Sequence, residues 1–188
     1  MKLKTIERFV KKTGMATVTD GPDELWIGNG AMLAPVYEFR RLDDAQLRAV
    51  LNISEKEAEK ISISRYEAAP DELADEAPGE ELLGLPLLSL TLGDRTYDVY
   101  ESARGCVYVN AELLRPFAAE LKEGLRVFLR RTDAGEILAV KRGFFLAGLI
   151  VPSAHVINPA LTDTLEALLK GTMKRIEQDA TEPTLFTM

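Results

Sequence analysis

The chain has 188 residues, of which 46% are hydrophobic and 28% are charged, so it can bury a substantial core and has the composition of an ordinary globular protein. Its formal charge of -7 repels nucleic acid on average, so only a local basic face is expected to bind DNA. One cysteine and one histidine exclude an internal disulfide and a Cys/His metal cluster. No leader peptide or membrane-length apolar run is recognisable, which predicts a cytoplasmic protein without a membrane partner.

The chain begins with a predicted amphipathic helix that has one apolar and one basic face. Leu3, Ile6, Phe9 and Val10 recur at helical spacing, and Gly14 is placed to end the helix. Basic residues fill most of the other positions: Lys2, Lys4, Arg8, Lys11 and Lys12.

Three short strands are predicted after this helix. They cover residues 15–19, 24–27 and 31–37, and the Asp-Gly-Pro-Asp and Gly-Asn-Gly sequences between them are typical of turns. The Gly-x-Gly sequence at 28–30 lacks the third glycine and the following helix of a dinucleotide-binding site, so it is interpreted as a turn.

The middle of the chain predicts two helical segments and an acidic loop. Residues 42–51 have a helical apolar pattern, and Ser54 with Glu57 has the spacing of a capping box. Residues 67–84 are rich in Ala, Pro, Asp and Glu, which predicts a mobile, solvated connector. The alternative is an acidic segment that binds a protein or mimics DNA.

The second half repeats the helix-and-strand order after a hairpin over 88–92 and 96–100 and a strand over 106–109. Asn110 is a good helix cap, and strands are predicted around 125–130, 137–140 and 144–151. An amphipathic helix over 159–178 and an exposed tail over 179–188 follow. The apolar stripe of the helix after Asn110 consists of Leu113, Leu114, Phe117 and Leu121.

These patterns predict an α+β fold with antiparallel sheets and two pseudo-symmetric units, each a helix followed by three strands. The first unit covers 3–36 and the second 110–151. Both are expected in one domain over residues 1–157, with an inserted helical and acidic-loop segment around 39–86. Residues 158–188 are expected to form the C-terminal helix and flexible tail.

No set of residues in the sequence indicates an active site. The carboxylates cluster in turns, helix starts and the acidic loop, where solvation explains them. His155 has no nucleophile or orienting acid at a recognisable spacing, and Cys106 is expected to be a small buried hydrophobe. We therefore predict a non-enzymatic protein with no catalytic residue, metal or cofactor.

The aromatic residues of the strands are predicted to pack in the core. Trp26, Phe144 and Phe145 all lie in apolar segments, where core packing is the expected role. An exposed aromatic pair would instead favour base stacking.

Part of the second unit resembles a half-domain of the sliding clamps of DNA replication. The resemblance covers about a quarter of the chain, and the segment 3–36 fits the other half-domain by element order. The residues that carry it are Val107-Tyr108-Val109-Asn110, Leu113-Leu114-Arg115-Pro116-Phe117, the strand around Val127, and Leu149-Ile150-Val151-Pro152. In clamps, such units form a ring whose helices face DNA. A single domain of this kind would need self-assembly into a homo-oligomer to form a ring.

The resemblance implies that the basic face of the first helix contacts duplex DNA through Lys4, Arg8, Lys11 and Lys12. Such contacts neutralise phosphates without reading bases, although a solvated helix face explains the same pattern. The second helix departs from the family's basic character. There, Glu112, Glu120 and Glu123 dilute Arg115 and Lys122.

The tail offers a second class of function. Glu182-Pro183-Thr184-Leu185-Phe186 resembles the short peptide by which bacterial polymerases and repair factors dock on a sliding clamp, with Glu182 in place of the usual Gln. Leu185 and Phe186 are therefore candidate partner-binding residues, for a clamp or another protein. We predict a clamp-like accessory or assembly protein of DNA replication, of phage or mobile-element origin. The alternative is a protein-interaction adaptor that uses the acidic loop or this tail without binding DNA.

Overall fold

The computed structural model describes residues 3–68, 72–117, 124–132 and 135–153, together with Ala167. It is a mixed α+β fold that consists mostly of antiparallel sheet, which confirms the predicted fold class at that level. The predicted helix over 159–178 lies outside the described residues except for Ala167, and the tail with Leu185 and Phe186 lies wholly outside them.

The helices follow the predicted pattern at their starts. Helix α1 covers Leu3–Thr13, α2 Asp44–Val50, α3 Glu55–Ala58 and α4 Ala111–Leu114, which continues into a 3-10 turn at Arg115–Phe117. Asp43 caps α2, Ser54 caps α3 in a capping box with Glu57, and Asn110 caps α4. The caps satisfy backbone N–H groups that have no partner within the helix.

Eleven strands are present among the described residues. Strands β1 to β4 are Met15–Asp20, Leu25–Gly28, Met32–Val36 and Ser62–Arg65. Strands β5 to β8 are Glu81–Leu83, Leu88–Leu92, Arg95–Ser102 and Gly105–Asn110. Strands β9 to β11 are Leu125–Thr132, Gly135–Arg142 and Phe145–Ile150. The short strands β4 and β5 were not predicted.

Eight strands form one sheet in the order β4-β1-β2-β3-β11-β10-β9-β5, and β6-β7-β8 form a second, three-stranded sheet. All pairs are antiparallel except β1 with β4. The meander β1-β2-β3 and the meander β9-β10-β11 therefore lie side by side, and each follows a helical segment in the chain. They meet at β3 and β11, where Leu33 opposes Leu149 and Met32 opposes Ile150.

Both faces of the large sheet are covered. On one face, Phe9 of α1 and Leu113 and Phe117 of the α4 segment pack in one cluster with Met32 and Ile150. Neighbouring strand residues point to opposite faces. On the other face, Trp26, Leu33, Ala139 and Leu149 form a cluster with Leu73 from the acidic segment. The two helical segments thus share one face, and the acidic segment covers the other.

Candidate nucleic-acid interface

Helix α1 presents the predicted basic residues at its surface because its apolar face is used by the core. Ile6, Phe9 and Val10 are buried, whereas Lys4, Arg8 and Lys12 are exposed. No acidic residue lies in the first turn of this helix. Its exposed face is therefore cationic, apart from Glu7.

Lys11 differs from the other three cations because it is held between acidic groups. Its Nζ lies 3.1 Å from Glu7 Oε1 and 3.3 Å from Glu57 Oε1, and it donates a hydrogen bond of 2.8 Å to the carbonyl oxygen of Asn52. The hydrogen bond with Glu7 raises the pKa of Lys11. This lysine joins α1 to the segment that contains α2 and α3, so part of its charge is already compensated.

Cations from both helical segments converge on a groove of about 220 Å³ that is lined by Arg8, Phe9, Lys12, Glu112 and Arg115. Lys12 Nζ lies 2.5 Å from Glu112 Oε2, and the Arg8 guanidinium stands 5.7 Å from the centroid of the Phe9 ring. The hydrogen bond from Lys12 lowers the pKa of Glu112, and the charges of Arg115 and Arg8 add to this effect. Three cations surround one carboxylate, which leaves the groove with a positive charge.

Arg115 is a candidate contact that the sequence patterns do not indicate. The glutamates of the second helical segment suggested that its basic character is diluted, but Arg115 lies beside Arg8 and Lys12 in the groove. Its position at the end of α4, directly after the buried Leu113 and Leu114, is the feature of the sequence that indicates a surface location.

The exposed aromatic residues contradict one prediction. Trp26 is 1% exposed, as predicted for a core residue, but Phe144 is 77% and Phe145 70% exposed. The apolar run starts at the hairpin turn, where Gly143 has φ of +62°. Phe144 therefore lies in the turn, and Phe145 is the first residue of β11, at the end of the sheet. Phe145 lines a cavity of about 580 Å³ with Tyr37, Arg142 and Leu146, and Tyr37 is itself 68% exposed.

The acidic segment is anchored to the sheet between residues 72 and 80, unlike the mobile loop that its composition predicts. Arg130 and Lys141 are only 1% and 4% exposed, and both donate hydrogen bonds to the carboxylate of Glu80. Arg130 also donates to the carbonyl oxygens of Glu72 at 2.9 Å and Ala74 at 2.6 Å. Two buried cations of β9 and β10 therefore hold this segment in place.

Cys106 is partly buried against Val99 and Tyr108, and His155 lies outside the described residues. The described ranges contain no group of three His, Cys, Asp or Glu side chains placed to hold a metal ion. Within the same ranges, no helix has the length and apolar character needed to cross a membrane.

Comparison of the chain with protein-family models, curated proteins and solved structures finds no match in any of the three. Function is therefore inferred from the residues and their geometry.

Proposed function

We propose that this protein is a non-enzymatic, clamp-like accessory or assembly factor of DNA replication that contacts the phosphates of duplex DNA. The supporting observation is the convergence of Arg8, Lys12 and Arg115, from two helical segments, on one groove. The repeated order of a helical segment and a three-stranded meander is consistent with two pseudo-symmetric units. In such an arrangement, the shared helical face is the DNA-facing side.

Lys4, Arg8, Lys12 and Arg115 are the proposed phosphate contacts, and Lys11 contributes less because Glu7 and Glu57 compensate its charge. Each neutralised phosphate contributes about 0.9 to the slope of log affinity against log salt. Four full contacts predict a slope of about -3.6 for one protomer, and the slope is shallower to the extent that Glu112 already compensates Lys12. Binding is weak and independent of sequence, and assembly of several protomers is the proposed route to tighter retention on DNA.

The first experiment is light scattering at low salt, with and without duplex DNA, on the wild-type chain and two triple variants. The test variant is Arg8→Gln, Lys12→Gln and Arg115→Gln. The matched control removes the same amount of charge from exposed cations elsewhere: Arg40→Gln, Arg48→Gln and Lys60→Gln.

Loss of DNA binding in the test variant, with binding retained in the control, supports the helical face. Equal loss of DNA binding in both variants would show that binding depends on net charge and not on the helical face. Binding by the wild-type protein that persists at high salt, or a monomer that is indifferent to DNA, contradicts the proposal.

The exposed aromatic cleft favours a second candidate function, that of a protein-interaction adaptor. Tyr37, Phe145 and Arg142 surround the cleft, and aromatic and arginine side chains are enriched at binding hot spots. This surface adds to the predicted partner-binding tail, whereas Glu80 and Asp75 of the acidic segment already form contacts within the chain. The adaptor function would be supported if the protein is a monomer that does not bind DNA and that loses its binding to a protein partner when Phe145 is replaced.

A further inference from the structure

A cavity of about 280 Å³ lies along the sheet face that the acidic segment covers. Its apolar walls include Leu33, Ile137 and Leu149, and its polar groups include Thr17, Tyr66 and Glu72. The walls belong to β3, β10 and β11, so they are part of the rigid sheet. Ligand sites typically combine apolar walls with a few placed polar groups.

Thr17 lines this cavity, and its hydroxyl oxygen is fully buried without a hydrogen-bond partner among the described residues. Thr17 is 8% exposed, and its Oγ1 is unpaired. The hydroxyl oxygen lies close to Gly30, another lining residue, since a Cβ added to this glycine would be 3.6 Å from the oxygen. A buried polar atom without a partner is costly, so rotation of the Thr17 side chain toward a donor in the cavity would relieve this cost.

Tyr66 and Glu72 add a neutral hydroxyl and a carboxylate. Burial, together with the negative charge of Glu72, raises the pKa of Tyr66 to about 12. Its hydroxyl is un-ionised at neutral pH, as a tyrosine with the ordinary pKa is too. The backbone of Glu72 is held by Arg130, and that of Tyr66 by a 3.1 Å hydrogen bond to the carbonyl oxygen of Val18. Both residues are therefore attached to fixed points of the sheet.

The charge around the cavity selects the sign of a ligand. Among its described lining residues, the charged ones are Glu72 and Glu136. Glu136 lies 3.3 Å from Arg131 in an ion pair, which leaves Glu72 as the carboxylate for a bound cation. An ammonium group in an apolar site needs such a partner, because an unpaired buried charge is costly.

We propose that this cavity binds a small organic ammonium ion with an apolar body. The ammonium donates hydrogen bonds to Glu72 and to the hydroxyl oxygen of Tyr66, and also to that of Thr17 once this side chain has rotated toward the cavity. The apolar body of the ligand contacts Leu33, Ile137 and Leu149. A cavity of about 150 Å³ holds benzene, so 280 Å³ accommodates a phenyl ring with a short chain. This binding is independent of the proposed DNA contacts, which involve the helical face.

The test titrates the full chain with phenethylamine, followed by NMR shifts of the methyl groups of Leu33, Ile137 and Leu149. Two matched probes are 2-phenylethanol, which is neutral, and 3-phenylpropanoate, which is anionic. Hydrogen bonds to charged groups contribute about 1.5–3 kcal/mol, or roughly tenfold to hundredfold in affinity. We expect saturable shifts with the amine and at least about tenfold weaker binding of the anion.

Two variants and one control separate the site from general effects of charge. Glu72→Gln is expected to weaken binding of the amine about tenfold and to leave binding of 2-phenylethanol unchanged. Thr17→Val weakens the amine while preserving the fold, since its hydroxyl has no partner to lose. The control Glu76→Gln removes an exposed carboxylate of the same segment and should change nothing.

Absence of saturable shifts, equal binding of amine and anion, or an amine affinity unaffected by Glu72→Gln would each overturn the proposal. Thermal unfolding of each variant shows whether a lost affinity reflects a lost fold. DNA binding measured on the same proteins keeps the two proposals apart, because neither variant touches Arg8, Lys12 or Arg115.

Discussion

Replacement of Glu80 by glutamine tests whether the buried charge cluster holds the acidic segment on the sheet. Glu80 is the carboxylate that accepts hydrogen bonds from both Arg130 and Lys141, and these cations are 1% and 4% exposed. Glu80→Gln keeps the size of the side chain but removes the negative charge. Two buried cations would then remain without this counter-charge.

Removal of one partner from a buried ion pair costs about 3–5 kcal/mol. The lower end applies here, because Arg130 keeps its hydrogen bonds to the carbonyl oxygens of Glu72 and Ala74. Lys141 also keeps its position 4.8 Å from the centroid of the Phe128 ring. We therefore expect a loss of about 3 kcal/mol, which for a chain of this size corresponds to a decrease in Tm of about 6–12 °C.

Urea unfolding gives the free energy, and amide hydrogen exchange shows where protection is lost. Exchange should increase first at Leu146, whose N–H donates to Asp75 at 2.7 Å, because the anchored segment supplies that contact. Glu76→Gln is the matched control and should change stability by less than about 0.5 kcal/mol, as for ordinary surface substitutions. A loss below about 1 kcal/mol in Glu80→Gln would refute this role of the cluster.

Three further predictions concern other parts of the fold. Lys12 holds the pKa of Glu112 below its ordinary value, so the pair contributes to stability at neutral pH. This contribution is lost as the pH falls through the lowered pKa. Glu112→Gln should therefore remove that acid dependence in urea unfolding and increase DNA affinity in a low-salt titration. Gly148→Ala places a Cβ 2.4 Å from Cζ of Phe117 and should cost about 1–3 kcal/mol, with partial recovery in the double variant with Phe117→Leu. Phe144→Ser should leave Tm nearly unchanged, because this ring is 77% exposed; a decrease above about 4 °C would show that it packs in the folded protein.

Local sequence patterns predict those helices and strands that neighbouring residues in the sequence determine. Helix α1 follows from its apolar spacing, and its companion strands follow from turn sequences such as Gly-Asn-Gly. Strand β4 was missed because Ser62–Arg65 is short and polar. This segment forms a strand because it pairs in parallel with β1, beginning at Met15. The two strands are far apart in sequence, so no local pattern predicts the pairing.

The second covered face of the sheet explains why the acidic segment is anchored and not mobile. Leu125, Val127 and Leu129 alternate with Arg126, Phe128 and Arg130, a pattern that predicts one buried and one solvated face. Arg130 is nevertheless buried, because Glu80 lies over it although the two are 50 residues apart in sequence. Composition alone made the acidic segment resemble a mobile loop, since it cannot show which carboxylates meet buried cations.

The same arrangement connects the fold to its two candidate sites. Helical segments cover one face and bring Arg8, Lys12 and Arg115 together, which favours contact with a large polyanion at an open surface. The anchored segment covers the other face and borders a cavity lined by Thr17, Tyr66 and Glu72 over apolar strands, which favours a small cation. Because the two sites have opposite charge and lie on opposite faces of the sheet, a substitution that weakens one site should leave the other intact. Arg130 offers a test of this independence: it fixes the backbone of Glu72, so its loss should weaken the cation site and leave DNA binding intact.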